Sequence, residues 1–160
     1  MSLEQLGKNT TEGCVAPGIH QEVISGVGNT TTAYQLTADQ SGSLCLFDAA
    51  DGVVYTLPAP VAGMTFEFLV TVAGTSNSYS INTDAATTFI GGGVGSFSTN
   101  VAEGGDSFPA TISSTVSIDL DSDLTGRLVG TYLKLTCLSS TTWGVSGNIH
   151  GVGTLATPFA

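Results

Sequence analysis

The chain has 160 residues and a formal net charge of −10. Charged residues make up 10% of it, against roughly 25% in ordinary globular proteins. Its strong bases are Lys8, Arg127 and Lys134, too few to displace counterions from a phosphate backbone, so nucleic acid is excluded as a partner. The length suffices for one domain with a real core. A surface so poor in charge is either neutral and polar or largely covered by partners. Coverage is favoured, because lone monomers rely on charge for solubility.

Residues 1–32 show no clear period. "GKNTTEGCVAPG" and "SGVGNTTT" read as turn-like or extended, and the segment is expected to be an N-terminal arm. No basic region precedes an apolar core in "MSLEQLGKNTTEGC", so a secretory leader is not expected. The chain is expected to fold in a cytosol, and the sequons at Asn9 and Asn29 carry no meaning there.

From Tyr34 onward short alternating runs take over. Strands are predicted at about 34–38, 44–48, 53–57, 65–72, 78–82, 87–90, 94–98, 112–120, 131–138 and 142–148, with turns at 39–42, 50–52, 91–93, 103–106 and 122–126. The stretch from Gly52 to Thr71, "GVVYTLPAPVAGMTFEFLVT", holds one charge, Glu67. It is long enough to raise a membrane-spanning helix. Pro58 and Pro60 argue against that, since a proline inside a helix costs about 3 kcal/mol or more. Val53, Tyr55 and Leu57 share one parity, and Phe66, Phe68, Val70 and Val72 share a face. The stretch therefore reads as strand, connection, strand, and no membrane is needed.

Ile112, Val116, Ile118 and Leu120 give the cleanest alternation, with Thr115, Ser117 and Asp119 opposite. Leu133, Leu135 and Cys137 alternate as well, as do Trp143 and Val145. Many short strands at near-regular spacing predict an all-β fold. The expectation is a single sandwich or barrel-like antiparallel domain over 33–148, with the extended arm at 1–32 and a short C-terminal tail at 149–160.

Residues that could carry chemistry are sparse. Cys14, Cys45 and Cys137 include no C-x-x-C pair, and Cys45 and Cys137 lie in strand-like runs where they pack as small apolar residues. Asp119, Asp121 and Asp123 lack the glycine and glutamate of a calcium loop. They read as a solvated strand end and turn, and a weak cation site requires the chain to curl after Leu120. His20 and His150 have no metal-ligand spacing. "IGGGVGS" is neither a dinucleotide fingerprint nor a phosphate loop, and reads as a tight turn or bulge. No G-x-S-x-G elbow occurs. No enzyme activity, cofactor or metal is expected.

Three segments resemble a known family. "YQLTADQSGSLCLFDAADGVVYTLPAPVAGMTFEFLVTVAGTSNSYSINT" (34–83) is similar to a module of small virion proteins of tailed bacteriophages, which starts T-A-x-x-S-G and carries T-L-P-x-P-x-x-G ahead of an aromatic-rich strand. "LKLTCLSSTTWGVSG" (133–147) is similar to the family's strand, polar turn and W-x-V-x-G strand. "GTLATPFA" (153–160) is like its T-P-F ending. The resemblance implies a capsid decoration (cement) protein on the outer capsid surface of a virion, synthesised in the host cytoplasm. Its implied partners are the major capsid protein and other copies of itself. A homotrimer suits three-fold sites between capsomers.

Flexible ends can order on a partner surface. The candidate interface residues are therefore Cys14, Ile19, Val23 and Ile24 in the arm, and Thr157, Pro158 and Phe159 in the tail. The alternatives are a tail-fibre or receptor-binding β module, which needs an exposed aromatic-rich surface, and a small glycan-cleaving domain, which needs activity on host polysaccharide.

Overall fold

The computed structural model describes residues 21–26, 33–100, 102 and 105–160. Cys14, Ile19 and His20 lie outside the described residues. The alternating runs become strands β1 (Val23–Ile24), β2 (Tyr34–Gln35), β3 (Leu44–Phe47), β4 (Val53–Thr56), β5 (Thr65–Val70) and β6 (Tyr79–Asn82). They continue as β7 (Phe89–Ser98), β8 (Ser107–Ala110), β9 (Ser117–Leu120), β10 (Tyr132–Ser139) and β11 (Thr142–Gly151). A 3-10 turn, Ala38–Gln40, leads from β2 to β3. No helix among the described residues is long and apolar enough to cross a membrane.

Two sheets pack face to face, an all-β sandwich. One has seven strands in the order β1-β3-β5-β10-β11-β7-β8, the other four in the order β2-β4-β6-β9. From β1 to β6 the chain alternates between sheets, so each strand returns to its sheet in the direction of the strand two before it. The pairs β1–β3, β3–β5, β2–β4 and β4–β6 are consequently parallel. The antiparallel hairpin β10–β11 then sits between β5 and β7, with β11 parallel to β7.

This mixed pairing corrects the antiparallel expectation. Period two reports which face of a strand is buried, and it is the same for both pairing directions. Direction is set by the connections. Here most of them cross between sheets and few reverse within one.

The core is aromatic. Phe47 and Phe68 from the large sheet meet Tyr55 and Tyr79 from the small one. Ring centroids lie 4.8 Å apart for Phe47–Tyr79 and 5.6 Å for Tyr55–Phe68. Each tyrosine is buried, so each hydroxyl needs an acceptor. Tyr55 donates to the Leu46 carbonyl at 2.8 Å, and Tyr79 to that of Val72 at 2.7 Å. Trp143, fully buried against Phe66, finds no partner for its indole Nε1 among the described residues.

Four local expectations are corrected. First, the arm is not wholly outside the domain: β1 pairs with β3, and Ile24, at 6% exposure, belongs to the core. Two residues are too short to show a period, which is why the strand was invisible in the sequence. Second, residues 111–115 form a turn, with the amides of Ser114 and Thr115 bonded to the Thr111 carbonyl at 3.0 and 2.9 Å. Ile112 is therefore exposed and Thr115 buried, the reverse of their predicted faces. Third, Gly91–Gly93 is no turn but the interior of β7. Gly92 has φ +106, and a Cβ there would fall on the Val145 carbonyl oxygen, so glycine lets β7 and β11 close up.

Fourth, the tail pairs with the edge strand β9. Phe159 bridges antiparallel to Ile118 of β9. The amides of Val116 and Asp119 donate to the carbonyls of Ala160 and Pro158 at 2.8 and 2.7 Å. Residue 108 and its neighbours were also missed as a strand, because Pro109 interrupts β8. Proline is tolerated there because β8 is an edge.

Candidate interaction surface

Odd-numbered strands run one way and even-numbered strands the other, so connections collect at two ends. The end reached by β3, β5, β7, β9 and β11, here the upper end, is tied together by backbone hydrogen bonds. Thr75 N–H reaches the Ala50 carbonyl at 2.7 Å, and Gly74 N–H reaches Arg127 at 3.4 Å. Val152 N–H reaches Asp123, and Thr99 N–H reaches Gly151, both at 2.9 Å. These bonds fix loops that carry turn residues and little else, so the apolar residues among them have no core to enter.

Those apolar residues stand in solvent. Phe97 is 55% exposed and Val129 56%, and Val72, Leu124 and Val152 are exposed as well. Phe97 and His150 are register partners on β7 and β11, with ring centroids 5.5 Å apart. Gly130, next to Val129, lies against the His150 ring. Val152 follows on the same strand end, bonded to Asp123 beside Leu124. Phe97, His150 and Gly130, the neighbour of Val129, thus adjoin, and Val152 is bonded to the turn that carries Leu124.

The same end is acidic. It carries Asp48, Asp51, Asp106, Asp121 and Asp123. Its base among the described residues, Arg127, is held by Asp123, Nε to Oδ1 at 2.8 Å. The other described base, Lys134, lies 3.4 Å from Glu67 on the outer face of the large sheet. Burial there raises the Glu67 carboxyl, but hydrogen bonds from Tyr132, Gln21 and Lys134, with the Lys134 charge, outweigh it and leave the group below its ordinary range.

The aspartate run is resolved into separate contacts. Asp119 accepts from Ser117 Oγ at 2.8 Å, Asp121 from Thr125 Oγ1 at 2.7 Å, and Asp123 takes Arg127. Among the described residues no group of three or more His, Cys, Asp or Glu is placed to share a metal ion. Cys45 and Cys137 are free and buried. Burial, with the Glu22 charge, pushes the Cys45 thiol up to about 12, which leaves it unreactive at neutral pH.

The predicted contact residues scatter. Val23, 57% exposed, sits at the β1 edge, while Ile24 is spent on this chain's own core. Thr157 is exposed, Pro158 is buried, and Phe159 packs half-buried on the core beside β9. The tail is thus occupied within its own chain. Sequence reading missed Phe97, Leu124, Val129 and Val152. The available signal was parity: Phe97 falls on the face opposite Val94 and Ser96, which turn to the core, and the other three are apolar outside the strands. A second open feature, a groove of about 420 Å³ along β7 and β8, is lined by Gly92, Gly93, Val94, Gly95, Ser107, Phe108 and Pro109.

Comparison with protein-family models, with curated proteins and with solved structures gave no match.

Proposed function

We propose that this chain is a non-catalytic structural protein of a tailed-phage particle, a decoration protein that binds the outside of the head and stabilises the shell by bridging coat subunits. The observation that carries the reading is the upper end, where exposed apolar side chains and acids share a hydrogen-bonded set of loops and strand ends. Such a patch is a protein-contact surface. The resemblance to small virion proteins supports it further, because the three resembling segments are neighbours in the fold. Segment 34–83 forms β2 to β6, segment 133–147 pairs with it through β5–β10, and the ending lies on β9 beside β6.

In this reading the chain assembles as a homotrimer at three-fold positions, where three equivalent copies each meet the same coat surface. The test is copy number and place. Antibody-gold labelling and quantitative mass spectrometry of purified particles should find hundreds of copies on the head. A few to a few dozen copies at the tail would assign the chain to a fibre or receptor-binding part instead. Light scattering on the free protein should give three times the 16.2 kDa chain mass; a single-chain mass at micromolar concentration counts against the trimer.

A further inference from the structure

The chemistry of the upper end restricts what can cover it. Val72, Phe97, Leu124, Val129 and Val152 leave exposed apolar side chains there. Asp48, Asp51, Asp106, Asp121 and Asp123 give it a negative field, and Arg127 is already paired with Asp123. Two copies meeting through this end would set carboxylate against carboxylate, with no Lys or Arg outside an ion pair among the described residues to separate them. A partner bearing Arg or Lys would meet the opposite situation, since complementary potentials steer encounter and fix register. The exposed Phe97 ring offers a face to a guanidinium.

We propose that the upper end docks a cationic protein surface, an apolar patch flanked by Arg or Lys, and that a second copy of this chain is not its occupant. The proposal deepens the attachment role given above and rests on it for the identity of the partner as a coat protein. Self-association, where it occurs, then uses another face.

The experiment titrates the full-length chain with a synthetic peptide of alternating Leu and Lys/Arg, and with its Leu/Glu counterpart, read by NMR shifts of amides and methyls. The basic peptide should move the signals of Val72, Phe97, Leu124, Val129 and Val152. The double variant Val129→Ser, Val152→Ser should weaken binding at least about fivefold, while Leu138→Ser at the opposite end changes it less than about twofold. Raising salt to about 0.5 M should weaken it further.

The proposal is overturned by equal binding of the acidic peptide, or by shifts spread evenly or centred on Val61 and Leu138. Shifts at the upper end that follow protein concentration without peptide would make the occupant a second copy, and also overturn it. The peptide result stands or falls whatever the particle labelling shows, so the two readings fail separately.

Discussion

Two residues show how closely this fold is built. Gly147 in β11 has φ +142, and a Cβ there would fall on the Tyr132 carbonyl oxygen and lie 2.9 Å from the Leu133 Cα. Neither atom is the end of a flexible side chain. Gly147→Ala should cost about 2–5 kcal/mol, backbone strain and overpacking together. Gly42, at φ +94 with nothing within 4 Å, supplies the control. Gly42→Ala should cost only about 1–2 kcal/mol, the strain alone. Urea unfolding of both separates the two terms, and equal losses would show that β11 can shift away from β10.

Trp143 tests the other side of burial. Its unpaired indole N–H costs about 1–3 kcal/mol in the folded state. Trp143→Phe removes that penalty while losing volume, so its net cost should stay below about 2 kcal/mol. Trp143→Ala should cost about 3–5 kcal/mol. Comparable losses for the two variants would mean that the indole nitrogen is satisfied in solution.

At the scale of elements the tail is the informative piece. Sequence reading named Phe159 as a candidate interface residue, and the fold places it beside β9 of its own chain. The last residues close the open edge of the small sheet. Removing residues 157–160 should leave the core folded but strip hydrogen-exchange protection from the amides of Val116, Ser117 and Asp119, whose acceptors are the carbonyls of Ala160 and Pro158. Phe159→Ala should cost less than about 3 kcal/mol, because the side chain is half-buried. Unchanged protection at those three amides would show that the tail strand does not persist in solution.

At the scale of the whole molecule, stability should be lost on the alkaline side. Burial holds the Cys45 thiol up to about 12, with Glu22 adding to it. Burial first, then Asp48 and Asp51, puts the Tyr79 hydroxyl up to about 12, against a smaller opposing effect of Arg127. Both groups are neutral in the fold, and the unfolded chain releases their protons first. Their contribution is therefore complete below the ordinary values of 9.0 and 10.0 and is lost as pH rises toward 12. The urea midpoint should hold up to about pH 9 and fall beyond it, and Cys45→Ala should flatten the first part of the fall. A midpoint that stays constant to pH 11 would place both groups in contact with water.

The sequence by itself determined most of the strands, most of their buried faces and the aromatic core. Period two is a local record of which side of a strand meets the other sheet, and Phe66, Phe68, Tyr55 and Leu133 carry it plainly. It also determined the character of the surface, because charge is counted residue by residue. Only the tertiary structure decided the winding. Whether β3 pairs with β1 and β5, or with β4, depends on which way a connection turns, and the five residues between Phe47 and Val53 permit either. The candidate surface was decided at the same level. Phe97, Leu124, Val129 and Val152 are far apart in the chain and follow no shared period. They collect at one end of the sandwich because the strand ends and loops that hold them are bonded there, and hydrogen bonds between distant segments leave no mark on local sequence.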